Sequence, residues 1–160
     1  MNGKILIAYF SWGGNTKKLA EIISSQTGGE LLRIEPAVPY PENYHETAYG
    51  IAREQNENDI KPPIKTHASI GEYDTVFLGT PAWWYTMAPP VKTFLTECEF
   101  EGKVIIPFIT HGGGGEYTIA KDIERLVPAA RVLKSFSVYN SGDEDTSNNI
   151  ANWLIELKIN

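Results

Sequence analysis

The residues with the clearest chemical capacity form a short polar, glycine-rich segment near the start of the chain. It follows an apolar run, residues 4–10, and precedes a helical pattern, residues 16–27. Adjacent glycines let the backbone turn sharply, so that N–H groups and the positive end of the helix dipole converge. Hydroxyl and amide side chains can donate to the remaining oxygens of a phosphate. The segment therefore predicts a phosphate site made by Ser11, Trp12, Gly13, Gly14, Asn15 and Thr16.

The same segment lacks the residues of two common nucleotide-binding motifs. A P-loop needs a Gly-Lys-Ser/Thr ending, and the dinucleotide fingerprint needs Gly-x-Gly-x-x-Gly with an acidic residue after the second strand. Neither spacing occurs here, and residues 11–16 contain no lysine or arginine. A strand-to-helix turn that binds no ligand stays open as the simpler interpretation.

Two further segments carry groups that suit a flat aromatic heterocycle. Residues 80–85 contain three consecutive aromatic side chains, which supply faces for stacking. Residues 110–115 contain four consecutive glycines, which allow the backbone to approach a ligand closely. Neighbouring side chains of an extended segment alternate between faces, so at least one of the aromatic residues should lie at a surface or a ligand. For Trp83 or Trp84 taken alone, a hydrophobic plug between loop and helix is the alternative.

These three segments need a scaffold that brings them to one edge. Strand-like and helix-like segments alternate along the chain, which predicts a βαβ architecture with a parallel sheet. In such a sheet, ligands bind at the carboxyl ends of the strands, where all three segments begin. Pro107 cannot donate to a ladder, so we expect a bulge or irregular pairing in its strand. The predicted strands are residues 4–10, 30–34, 74–79, 103–110 and 131–138, and the predicted helices are residues 16–27, near 44–55, 90–97, 117–126 and 146–157.

Length and composition indicate one ordinary domain, residues 1–160, whose 42% hydrophobic content can form a core without disulfides or metals. The net charge of -6 argues against nucleic acid or an anionic membrane as a main partner. The single cysteine, Cys98, lies on an apolar helical stripe and should pack as a small hydrophobe. It excludes an internal disulfide, and the chain shows neither a membrane-spanning run nor a signal-peptide layout. We therefore expect a cytoplasmic protein.

The motifs together resemble those of the flavodoxins. Residues 11–16 are similar to the flavodoxin phosphate loop Ser/Thr-x-Thr-Gly-Asn-Thr, with Trp12 at a commonly small position and Gly13 at a Ser/Thr position. Residues 79–84 resemble the loop of a flavodoxin-like subgroup with paired tryptophans, and residues 107–113 resemble the strand and loop before the second contact with the isoalloxazine ring. The resemblance spans the whole chain. It implies a three-layer, doubly wound α/β fold with a five-stranded parallel sheet in the order 2-1-3-4-5, without the insertion of long-chain flavodoxins.

FMN is the cofactor that this resemblance implies. Its phosphate would lie on residues 11–16. His111 could donate to the flavin edge or relay a proton, or it could be a surface residue of the loop. Tyr117 could instead be a helix residue packed on the core, and His45 and His67 show no metal-ligand spacing. The ring would be bordered on one side by Pro81, Ala82, Trp83 and Trp84, and on the other by Thr110, His111, Gly112, Gly113 and Tyr117.

One departure from the flavodoxin pattern bears on the type of electron transfer. Flavodoxins commonly place a glycine where a peptide can flip towards the flavin, and this chain has Pro81, Ala82 and Trp83 there. Proline has no N–H, and alanine disfavours positive φ. The one-electron-reduced flavin should therefore be weakly stabilised, which favours two-electron reduction.

The resemblance thus implies an FMN-binding protein of electron transfer. An FMN-dependent two-electron reductase of quinones or nitro compounds is the alternative, and a cofactor-free α/β module is a third possibility. The expected partners are redox proteins or small-molecule electron acceptors. The acidic run at residues 143–145 follows the last predicted strand and could attract a basic partner protein.

Overall fold

The computed structural model describes residues 3–159; Met1, Asn2 and Asn160, which the predicted domain includes, lie outside the described residues. Within residues 3–159, none of the helices is long and apolar enough to cross a membrane. The strands are β1 (Lys4–Tyr9), β2 (Glu30–Arg33), β3 (Tyr73–Trp83), β4 (Thr86–Met87), β5 (Val104–His111), β6 (Arg131–Val132) and β7 (Phe136–Tyr139). The helices are α1 (Asn15–Thr27), α2 (Tyr44–Glu46), a π-helical turn (Thr47–Ile51), α3 (Ala52–Glu57), α4 (Pro89–Glu97), α5 (Ile119–Leu126) and α6 (Thr146–Glu156).

The strands form a parallel sheet in the predicted order. The order is β2-β1-β3-β5, and β5 carries both β6 and β7 on its outer side. β5 is the predicted fourth strand, and β6 and β7 together occupy the predicted fifth strand. The three-layer, doubly wound arrangement in the order 2-1-3-4-5 is therefore confirmed, with the short β4 added as an antiparallel partner of β3.

Pro107 marks the break between β6 and β7. On the inner side, the register with β3 is continuous through Pro107, which pairs with Leu78, so the expected bulge does not occur there. On the outer side, β6 pairs with the beginning of β5 and β7 with its end, leaving residues 133–135 outside any strand. A proline cannot donate to the outer ladder. The expected irregular pairing is thus confirmed on the outer side only.

The predicted end of the third strand at residue 79 is wrong. β5 extends far enough that Thr80 pairs with Ile109 and Pro81 pairs with Thr110, so β3 continues to Trp83. The chain then turns back into β4, which pairs with the end of β3. Residues 80–83, which were expected to form a loop, are therefore held in ladders.

Helices cover both faces of the sheet. Successive side chains of a strand point to opposite faces, and apolar side chains on both faces pack against helices. Phe77 packs with α1 and α6, whereas the neighbouring Leu78 packs with α4 and α5. Cys98 is half-buried and packs against the group of core residues that contains Leu78, as expected of a small hydrophobe. Its burial, with a smaller effect of Glu97, raises the pKa of the thiol to about 11.

Most predicted helices are confirmed with shifted ends. The helix expected near residues 44–55 is found as an unbroken helical segment over residues 44–57, with the π-helical turn in its middle. Such turns are frequent at functional sites. α5 begins at Ile119 and not at residue 117, because Tyr117 has a positive φ of 49°. At the start of α6, Thr146 Oγ1 accepts a hydrogen bond from the Asp143 amide.

Candidate functional site

The turn between β1 and α1 forms a cradle of hydrogen-bond donors. Gly14 precedes α1 with a φ of 96°, in the left-handed region that favours glycine. Ser11 Oγ accepts hydrogen bonds from the amides of Gly14, at 3.1 Å, and Lys17, at 3.2 Å. A hydroxyl that accepts two bonds still has its proton to donate. Among residues 3–159, nothing accepts this proton or the amide protons of Asn15 and Thr16.

A buried pair of hydroxyls connects this cradle to the end of β5. Thr16 Oγ1 lies 2.8 Å from Thr110 Oγ1, and both residues are almost fully buried. One of the two hydroxyls donates to the other, so the pair has one further proton to offer. The pair therefore fixes the distance between the first and third predicted segments.

A cleft of about 330 Å³ opens above these groups. It lies at the carboxyl ends of β1, β3 and β5, the edge at which doubly wound folds bind their ligands. The structure brings most of the predicted site residues together here. Those that line the cleft are Ser11, Trp12, Gly13, Asn15, Thr16, Pro81, Ala82, Trp83, Trp84, Thr110, His111 and Gly112.

Three predicted site residues do not line the cleft. Gly14 shapes the turn behind it, and Gly113 donates its amide to His111 Nδ1 at 3.0 Å. Tyr117 is 44% exposed, so it neither closes the cleft nor packs on the core as the alternative expected. Its ring lies edge-on to Tyr85, with centroids 5.2 Å apart, and its hydroxyl end folds over Gly114.

The cleft also has walls that sequence analysis missed. Tyr44, Ala48 and Tyr49 come from the helical segment of residues 44–57, and nothing in their spacing links them to the other loops. Asn140 follows β7 directly and lines the cleft as well. A polar residue at the carboxyl end of a predicted strand is a signal that could have identified Asn140.

The first tryptophan after Ala82, Trp83, is both a cleft wall and a partly buried residue that packs against the core. The Trp83 ring lies edge-on to Tyr40 and Phe10, with centroids 5.2 and 5.4 Å apart, and to Trp12 at 6.5 Å. Trp12 is fixed by the bond from its Nε1 to the carbonyl oxygen of Pro41 at 3.0 Å. Trp83 thus combines the plug and the wall that the sequence left as alternatives.

The second tryptophan, Trp84, lies at the turn between β3 and β4. It has a φ of 50° and Tyr85 a φ of 71°, and a two-residue hairpin turn with positive φ at both positions is type I′. Its Nε1 donates to the carbonyl oxygen of Ala48, and the guanidinium carbon of Arg53 lies 5.1 Å from its ring centroid. These contacts hold a conformation that costs a non-glycine residue about 1–2 kcal/mol.

His111 has one ring nitrogen assigned by its contacts. Its Nδ1 accepts the Gly113 amide, so in the neutral ring the proton is on Nε2. The main-chain oxygen of His111 accepts the Asn140 amide at 2.8 Å, which holds the two loops together. The Nε2 donor is thus the part of His111 that is left for a ligand.

The groups in the cleft fit a flavin mononucleotide. The unpaired donors of the cradle suit a phosphate, and aromatic rings with a glycine backbone opposite them suit a planar ring system. A doubly wound sheet that carries such a site is the arrangement of a flavodoxin-like protein. A family model described as Flavodoxin matches residues 4–157, and the chain belongs to this family.

Solved structures and a curated relative agree with this family. A protein from Bacteroides eggerthii that is assigned as a flavoprotein is 31% identical, with a TM-score of 0.85, over 99% of this chain and 100% of that one. A flavoprotein from Lactobacillus acidophilus in complex with FMN is 23% identical, with a TM-score of 0.73, over 92% of this chain and 97% of that one, a likeness of fold. An NAD(P)H dehydrogenase (quinone) from Brucella anthropi is 26% identical over 130 residues. The match covers 72% of this chain and 62% of the length of that relative.

Proposed function

We propose that this chain binds FMN in the cleft and functions in electron transfer. The observation that carries the proposal is the cradle at residues 11–16, whose unpaired donors open into the same cleft as the aromatic walls. The phosphate is held there by the amides of Asn15 and Thr16 and by the hydroxyl of Ser11. The FMN complex of the flavoprotein from Lactobacillus acidophilus supports FMN over other flavins.

The remaining walls orient the ring. When bound, FMN supplies a ring system that accepts one or two electrons. Trp83 and Trp84 border this ring and exclude water from one side, and Gly112 allows close approach of the backbone on the other. The Nε2 proton of His111 is available to an acceptor on the edge of the ring, a role that the sequence left open.

Purification of the protein with its native cofactor tests this proposal. We expect a yellow protein from which a flavin with a single phosphate can be extracted. The stripped protein should take up one FMN per chain. A colourless preparation that takes up no FMN on titration would contradict the proposal.

A two-electron reductase of quinones or nitro compounds is the second candidate function. The observation that favours it is the ladder pairing of Pro81 with Thr110 and of Ala82 with Met87, which prevents a peptide flip where flavodoxins commonly have a glycine. The relation to an NAD(P)H dehydrogenase (quinone) points in the same direction. Anaerobic photoreduction distinguishes the candidates, because a carrier accumulates a blue one-electron-reduced form and a two-electron reductase does not.

The partners of the carrier would be redox proteins with a basic surface. Asp143, Glu144 and Asp145 follow β7 on the same edge of the sheet as the cleft and are exposed. Attraction between exposed charges is screened by salt, so docking at this acidic run should weaken strongly as ionic strength rises. Small-molecule electron acceptors would be the partners of the reductase. We also propose that the protein is located in the cytoplasm.

A further inference from the structure

We propose that Arg33 is a positioning residue that supplies the positive charge of the phosphate site, although it lies outside the loop. Residues 11–16 contain no cationic side chain, and the whole chain has a net charge of -6. The amides and hydroxyls of the cradle can bind a phosphate dianion by themselves, but in a chain of net negative charge a nearby cation strengthens the attraction. The inference rests on the proposed function, since it concerns the same phosphate site.

Arg33 contacts the loop at the residue that organises it. It ends β2, pairs in register with Tyr9, and lines a smaller hollow beside the cleft; Ser11 and Trp12 lie between the two and line both. Its Nη2 donates to the carbonyl oxygen of Ser11 at 3.1 Å. The hydroxyl of the same Ser11 accepts the amides of Gly14 and Lys17. The guanidinium thus holds the main chain of the residue whose side chain shapes the cradle.

The charge of Arg33 is not used elsewhere. In the part of the chain that the structure describes, no carboxylate lies within 4.0 Å of its guanidinium. Its planar group has five N–H donors, and the bond to Ser11 uses one of them. Lys17 and Lys18 are also near, but among residues 3–159 their exposed side chains donate no hydrogen bond to the loop. Arg33 is the cation that touches the loop there.

The effect of Arg33 should depend on the phosphate group of the ligand. Arg33→Gln should raise the Kd of the stripped protein for FMN by about tenfold, because the positive charge beside the phosphate loop is removed. The Kd for riboflavin, which has the ring but no phosphate, should change by less than about twofold. Inorganic phosphate should raise the melting temperature of the stripped wild-type protein but not that of Arg33→Gln.

Three further variants separate the charge of Arg33, the geometry of its contact with the loop, and the effect of other positive charges on the protein. Arg33→Lys keeps the charge and loses the planar fork, so it should recover part of the FMN affinity. Lys18→Gln removes a nearby charge that makes no hydrogen bond to the loop, and Arg131→Gln removes a charge at the opposite edge of the sheet. Both controls should leave the Kd for FMN within about threefold of the wild type.

The outcomes distinguish this inference from the proposed function. If Arg33→Gln weakens riboflavin as much as FMN, or if Lys18→Gln weakens FMN as much as Arg33→Gln, the inference is overturned. It is also overturned if the wild type takes up FMN and Arg33→Gln matches it in FMN and phosphate binding. If the wild type binds phosphate through Arg33 and takes up no FMN, the inference stands and the proposed function fails.

Discussion

Replacing Thr16 by valine tests the buried hydroxyl pair that joins the cradle to β5. Valine has nearly the shape of threonine and replaces by a methyl group the hydroxyl that lies 2.8 Å from Thr110 Oγ1. The pair has one proton left over after its internal bond. We expect Thr16 to give this proton to the phosphate, because Thr16 is part of the cradle and Thr110 is not.

The size of the effect follows from the two bonds involved. A hydrogen bond to a charged group contributes about 1.5–3 kcal/mol, so Thr16→Val should raise the Kd for FMN by about 10- to 140-fold. Thr110→Val leaves the proton of the Thr16 hydroxyl free for the phosphate, so this variant should raise the Kd for FMN by less than about threefold. In the stripped protein, each variant leaves one buried hydroxyl unpaired and should lower the free energy of unfolding by about 1–3 kcal/mol.

Fluorescence titration and urea unfolding provide the measurements. FMN and riboflavin should be titrated into the stripped wild type, both single variants and the double variant. Thr16→Val should leave the Kd for riboflavin nearly unchanged, and the double variant should show coupling between the two sites. Equal losses of FMN affinity in the two single variants, or an equal loss of riboflavin affinity, would refute the assignment of the phosphate bond to Thr16.

Three further predictions concern stability and reactivity. Tyr85 has a positive φ of 71°, which strains a non-glycine residue, so Tyr85→Gly should raise the free energy of unfolding in urea by about 0.5–1 kcal/mol. A decrease in that free energy would contradict the claim that the backbone is strained there. Gly79→Ala places a Cβ 2.3 Å from the Phe108 ring and should cost about 1–3 kcal/mol, part of which Phe108→Leu should restore in the same background; no cost would refute the close contact. The pKa of Cys98, raised from 9.0 to about 11, should slow its reaction with a thiol reagent at pH 8 about 100-fold relative to the unfolded chain. Because the unfolded thiol ionises first, this group should also lower the stability as pH rises from about 9 towards 11, and equal thiol rates in the folded and unfolded chain would contradict its burial.

The sheet and the cradle could be predicted because their signals are local in sequence. The apolar run that became β1 is strand-like by itself, and Gly13 and Gly14 mark the turn before α1. The alternation of strands and helices then limits the topology to a few arrangements. The position of the cleft followed from the rule that ligands bind at the carboxyl ends of parallel strands.

The β3–β4 hairpin could not be predicted, because its turn residues contradict the usual preference. Type I′ turns favour Asn-Gly, whereas Trp84 and Tyr85 occupy the turn here and are held by contacts with Ala48, Arg53 and Tyr117. Those contacts come from parts of the chain far away in sequence. Tertiary contacts thus override the local preference, and only the three-dimensional structure reveals them.

The contact of Arg33 with the cradle was hidden for a similar reason. Arg33 is separated from Ser11 by 22 positions, and its role depends on the pairing of β2 with β1. Residues 11–16 contain no cation, and nothing within that motif indicates one elsewhere. Arg33 and Asn140 both lie at the carboxyl ends of neighbouring strands, which is the signal in the sequence that points to them.

An NMR titration of the stripped protein tests the central claim most directly, because it reports the phosphate and ring contacts separately. We predict that FMN, at one equivalent, shifts the amide signals of Asn15 and Thr16 and the indole N–H signals of Trp83 and Trp84. Riboflavin should shift the indole signals alone. If saturating FMN leaves the amides of Asn15 and Thr16 unmoved, the phosphate does not lie at the start of α1, and the account is contradicted.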